Sequence, residues 1–147
     1  MKRFYHLLNF TGLSMICWAL LFSHAATAEI AIIVNSGNPE STISASHAKK
    51  LFLGKKTSFA SGQAAVAVDQ AEGNETRNMF YQQLANKSEA QMKAYWSRMI
   101  FSGKATPPNT VADDADVKAW LTGHNNGIGY IDSSAVDASV KVLLILE

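Results

Sequence analysis

The turn from Gln70 to Arg77 holds the densest set of groups able to do chemistry. Gly73-Asn74-Glu75-Thr76 lies between a strand candidate and a helix start. There, unpaired backbone N–H groups and the positive end of the helix dipole collect, and that geometry suits an anion. The residues alone also allow a purely structural reading, with Asn74 capping the helix and Glu75 complementing its dipole. Arg77 has two readings as well, swinging in to the anion or making a surface ion pair.

Other constellations point to packing or solvation. Tyr95, Trp96 and Met99 fall at helical spacing, which core packing explains. Lys49-Lys50 and Lys55-Lys56 read as solvated surface. Asp113, Asp114 and Asp116 read as a helix start and lack the spacing of a calcium loop. The sequons at Asn74 and Asn86 carry no weight behind a bacterial-type export signal. His47 and His124 have no acid or nucleophile partner in view, and no Ser-His-Asp order stands out. A non-catalytic protein without a cofactor is expected.

The elements that must position the turn are readable in order. Lys2 and Arg3 precede an apolar stretch, densest over Leu13–Phe22, which ends in Ala26-Thr27-Ala28. This is the order of a cleavable secretory signal, too short for a good membrane span. Residues 1–28 are therefore expected to leave and residues 29–147 to form one soluble exported domain. Removing 28 of the 147 residues leaves 119, and losing Lys2 and Arg3 takes the basic side chains from 13 to 11 against 12 acidic. Such a balance gives no broad attraction for nucleic acid or anionic lipid. Cys17, the single cysteine, leaves too, so packing alone must hold the domain. Two remaining histidines argue against a zinc site.

Glu29–Val34 reads as a strand buried on both faces, ended by Asn35-Ser36-Gly37-Asn38-Pro39. Ser44 caps a helix with Ala48, Leu51 and Phe52 on one face, stopped at Gly54. Ala64–Val68 is the second strand. A helix opens near Glu75 and ends near Asn86, and Ser88 with Gln91 forms a capping box for the next. That helix carries Met92, Tyr95, Trp96, Met99 and Ile100 inward. Asp113 or Asp114 starts a fourth with Val117, Trp120 and Leu121 inside. Gly127–Ile131 and Val140–Leu146 are the last strands. The order β-α-β-α-α-α-β-β predicts an α/β domain of three layers with a mostly parallel central sheet. Ligands of such sheets sit beyond the carboxyl ends of the strands, which singles out residues 35–39 and 69–76.

Several stretches, taken in order, resemble the phosphate-binding branch of periplasmic solute-binding proteins that serve ABC transporters. They are Ile32-Ile33-Val34-Asn35-Ser36, Leu51-Phe52-Leu53-Gly54-Lys55, Gln70 to Thr76, Phe80-Tyr81 and Gly127-Ile128-Gly129-Tyr130. The resemblance implies a fold like one lobe of a type II periplasmic binding protein, located in the periplasm. In larger relatives the loop reads Arg-Ser-Asp-Gly-Ser-Gly-Thr and wraps phosphate with amides, hydroxyls and the arginine, while its aspartate accepts the ligand's proton. Setting that pattern on this chain puts Gln70 at the arginine, Ala71 at the first serine and Glu72 at the aspartate. Gly73 matches, Asn74 replaces the second serine, Glu75 replaces glycine and Thr76 matches.

The fixed positive charge is thus lost and a carboxylate gained. Near a bound anion this costs a few kcal/mol at an effective dielectric of about 20. The implied function is a solute-binding module for phosphate or a related small oxyanion, with Ser36 facing Gly73, Asn74 and Thr76. A membrane transporter, a second copy or another lobe-like protein is the expected partner, because 119 residues make only one wall of a two-lobed cleft. The alternative is a ligand-free accessory protein of the periplasm that keeps the lobe fold.

Overall fold

A computed structural model describes residues 28–147. The leader read over residues 1–28 lies, except for Ala28, outside the described residues. The elements are β1 (Ile30–Asn35), α1 (Ala45–Phe52), β2 (Val66–Gln70), α2 (Glu75–Ala85), α3 (Glu89–Phe101), β3 (Asn109–Val111), α4 (Asp114–Thr122), β4 (Gly127–Asp132), a 3-10 turn at Ser133–Ala135, and β5 (Val140–Leu146).

The local signals act as their chemistry dictates. Ser44 accepts from His47 N at 3.2 Å and opens α1, whose Ala48, Leu51 and Phe52 are buried. Ser88 and Gln91 exchange both bonds of a capping box at 2.9 and 3.3 Å. Asp113 caps α4 by accepting from Asp116 N at 3.1 Å. Along β1, Ile30, Ile32 and Val34 face the core formed with α1, α2 and α3. Ala31 and Ile33 face the smaller core that includes Val117 and Leu121 of α4. Alternation along one strand therefore serves two helical layers, and the three-layer expectation holds.

The sheet order is β3-β2-β4-β1-β5. β2 runs parallel to β3 and β4, whereas β1 runs antiparallel to both β4 and β5. The sheet is mixed, not mostly parallel. The apolar run of β1 reported burial on two faces correctly, but such burial follows from a central position under helices and carries no direction. β3 was not anticipated, since Asn109-Thr110-Val111 is short and largely polar and is ordered by pairing with Val68–Gln70. The apolar stripe of α3 also ends early. Met92, Tyr95 and Trp96 are buried, but Ile100 is 58% exposed near the open end of α3, where Phe101 is 96% exposed.

Candidate functional site

β2 delivers the chain to the turn at Gln70, and α2 begins five residues later at Glu75. Between them the Asn74 N–H donates to Ala71 O at 3.2 Å, and Gly73 takes a φ of +84°, the left-handed region that glycine enters without strain. Asn74 caps α2, its Oδ1 accepting from Arg77 N at 3.2 Å. Its Nδ2 donates to Ala112 O at 3.3 Å, tying the turn to the start of α4. Among the described residues, the N–H groups of Glu75 and Thr76 have no acceptor. A hollow of about 400 Å³ opens beside Thr76, lined also by the α2 cap Asn74, the α4 cap Asp113, and Asp114, Ala115 and Lys118 of α4. Two helix N-termini thus border one space, where their dipoles favour negative charge.

The charges around this hollow temper that preference. Lys118 is already engaged, donating to Asp137 Oδ2 at 2.6 Å and Ala135 O at 3.0 Å. The contacts with Lys118 and Ser139 hold the Asp137 carboxyl well below its ordinary range. Asp114 accepts from Gln70 Nε2 at 2.7 Å and from Asp132 N at 3.1 Å.

Structure sorts the sequence-predicted residues into five places. Asn74 and Thr76 line the hollow. Gln70 is only 1% exposed, and its Nε2 is spent on Asp114 and on Tyr130 O at 3.0 Å. Gly73 and Glu72 face α3: the Gly73 N–H donates to Glu89 Oε1 at 2.5 Å, and Glu72 lies 3.9 Å from Lys93. Both Glu72 and Lys93 are largely exposed, so this pair is weak.

Ser36 does not join the others. β1 opposes β4 with Ile30 beside Asp132 and Val34 beside Ile128, while β2 runs with β4. The turn after β1 therefore lies at the opposite end of the sheet from the turn after β2. At about 3.3 Å per residue, the five steps from Ile30 to Asn35 separate them by roughly 17 Å. That first turn is structural: Asn35 Nδ2 donates to Leu121 O at 2.8 Å, and Asn38 Nδ2 to Asn125 O at 2.7 Å.

Arg77 corrects the surface-pair reading. It is 6% exposed, and its Nε donates to Asp69 Oδ2 at 3.2 Å. Tyr81 OH donates to the same oxygen at 2.9 Å, and Oδ1 accepts from Gln70 N at 2.8 Å and Tyr130 OH at 2.5 Å. One buried carboxylate thus joins β2, α2 and β4 directly beneath the turn. Burial, reinforced by Asp69, pushes Tyr81 and Tyr130 well above the ordinary phenol value. Burial pulls the Arg77 guanidinium down, yet Asp69 and the tyrosines outweigh it and the group lies above its ordinary value.

Sequence reasoning missed Asp69 as a partner. The available signal was an acid at a strand end, with Arg77 and Tyr81 one turn apart on the following helix.

The layers and sheet define an α/β lobe of the periplasmic-binding-protein type. Its structural neighbours are phosphate ABC transporter substrate-binding proteins, the family that the motifs resemble. A protein assigned to that group from Clostridium perfringens, with bound phosphate, aligns with a TM-score of 0.62 and 24% identity over 79% of this chain and 45% of its own. An ABC-type phosphate transport receptor from Vibrio cholerae gives 0.62 and 20%, covering 79% of this chain and 46% of its own. PstS from Borrelia burgdorferi gives 0.59 and 14%, covering 79% and 47%. The chain spans less than half the length of each, and at these identities the likeness is one of fold. No protein-family model and no curated protein matches the chain.

Proposed function

We propose that this chain is an exported, non-catalytic solute-binding lobe that receives a small oxyanion of the phosphate type in the hollow between α2 and α4. The observation that carries the reading is the unclaimed N–H of Thr76, a residue that lines the hollow together with the α4 N-terminus, on a fold shared with phosphate-transport proteins. Asp113 and Asp114 take over the part assigned to Glu72 from sequence, since Glu72 faces α3. Their carboxylates repel a fully deprotonated anion and accept from one that carries a proton, which favours phosphate over sulfate. A single lobe covers one side of the ligand, so a second copy or a component of an ABC-type transporter supplies the other wall.

Calorimetric titration of residues 29–147 with phosphate, with sulfate as control, tests the proposal. Heat with phosphate alone, weakened in Thr76→Val, supports it. The absence of both heat and thermal shift at millimolar phosphate removes it.

A second reading, a ligand-free accessory protein, is favoured by one specific observation. Two donors of the turn are already held by carboxylates of the chain, Gly73 N–H by Glu89 and Gln70 Nε2 by Asp114. Under that reading, Gln70→Arg with Glu75→Gly gains phosphate affinity that the natural sequence lacks.

A further inference from the structure

We propose that the cleft between α2 and α3 is a separate site for an oxyanion carried on a small apolar group, with the Arg77 fork as its anchor. This cleft has a volume of about 260 Å³ and shares no lining residue with the hollow between α2 and α4. It lies on the α3 side of the turn, so its case is independent of the proposed solute site.

Arg77 supplies the donors of this cleft. Its side chain is 7% exposed, and only Nε has a partner, Asp69. Among the described residues, the two Nη groups have no acceptor, and Arg77 lines the cleft. Asp69 has no capacity left for them, because its two oxygens already accept from Gln70 N, Tyr130 OH, Tyr81 OH and Arg77 Nε. A buried guanidinium with an open edge presents two parallel N–H groups at the spacing of carboxylate or phosphate oxygens, the strongest neutral-pH recognition a side chain offers such groups. Lys93 stands at the rim, held only loosely by Glu72 at 3.9 Å, and adds a second cation. Glu72 is itself exposed, so water screens its repulsion of an incoming anion.

Asp69, whose oxygens are already taken up, and Ser97, whose hydroxyl donates to Lys93 O at 2.9 Å, complete the polar part of the wall, and the remainder is apolar. Trp96, Ile100 and Pro107 line the cleft, and Ile100 is exposed with no protein group covering it. An oxyanion on the fork therefore places any attached ring or short chain against these side chains. The volume falls just under the range of about 300–1,000 Å³ usual for drug-sized ligands, which limits the guest to a small one. Aryl or short alkyl carboxylates and phosphomonoesters share this chemistry.

The test uses residues 29–147 with Trp120→Phe, so that Trp96 is the single tryptophan. Benzoate and phenyl phosphate are titrated in separate arms, with inorganic phosphate as control. Readouts are Trp96 fluorescence and the Arg77 side-chain N–H resonances. The expected result is saturable quenching by at least one aryl ligand with movement of the Arg77 signals. Affinity is expected to fall about tenfold in Arg77→Lys, which keeps charge and loses the fork. Because Arg77→Lys is a buried change, Ile100→Asp provides a surface variant that sets a carboxylate in the wall and also weakens binding. Arg77 resonances unmoved by either aryl ligand, or Ile100→Asp binding as tightly as its parent, overturns the proposal. Equal binding of inorganic phosphate overturns the part assigned to the apolar wall.

Discussion

Replacing Asp69 with asparagine keeps the outline of the side chain and removes the charge on which four donors converge. The amide oxygen can serve one side of the old carboxylate, but the new NH₂ then faces donors on the other. Either Tyr130 OH loses its acceptor and Gln70 N keeps only the Tyr130 oxygen at 3.2 Å, or Arg77 Nε and Tyr81 OH lose theirs. The tyrosine hydroxyls can rotate to other acceptors; the Arg77 guanidinium, 6% exposed, cannot shed its charge. Removing one partner of a buried pair costs about 3–5 kcal/mol, because the remaining charge stays buried without compensation. Against a typical domain stability of about 5–15 kcal/mol this is a large fraction. Urea unfolding followed by tryptophan fluorescence measures it, with the slope checked for constancy so that the midpoint shift reports stability. The companion variants Arg77→Met and Asp69→Asn/Arg77→Met complete a double-mutant cycle. The double variant is expected to lie at least about 1–2 kcal/mol above the sum of the singles, since no charge is then stranded. An Asp69→Asn cost below about 1 kcal/mol, or strict additivity, refutes the claim that this pair anchors the turn.

Stability is expected to fall as pH rises above about 10. Tyr81 and Tyr130 keep their protons in the folded state, whereas the unfolded chain releases them near the ordinary phenol value. The slope from these two groups approaches about 2.7 kcal/mol per pH unit, and a flat urea midpoint between pH 9.5 and 11 contradicts their burial. Asn74→Ala removes the acceptor for Arg77 N and is expected to cost about 1 kcal/mol, while Asn74→Gly costs only a few tenths; equal losses argue against the cap. In Gly129→Ala the new Cβ meets Val117 Cγ1 at 2.7 Å and Val68 Cγ1 at 2.9 Å, between the sheet and α4. Overpacking there is expected to lower stability by about 1–3 kcal/mol in thermal unfolding, and an unchanged midpoint rejects the tight approach of α4.

What the sequence determined by itself was local. Ser44, Asn74, Ser88 with Gln91, and Asp113 announced helix starts because a cap bonds to amides two or three residues away. The apolar run of β1 announced two-sided burial, and the spacing of Met79, Phe80 and Leu84 announced an inward face of α2, on which Phe80 and Leu84 are buried and Met79 partly so. Tertiary structure decided everything that depends on which distant segment arrives. The direction of β1 is set by its pairing with β4 and β5, and it carries Ser36 to the far end of the sheet. Gln70 turned to Asp114, Gly73 to Glu89, and Arg77 to Asp69, each a choice among acceptors that spacing does not rank. A cap has its partner within reach in any fold that forms the helix, whereas a charge or amide at a turn takes whichever group the packed layers bring beside it.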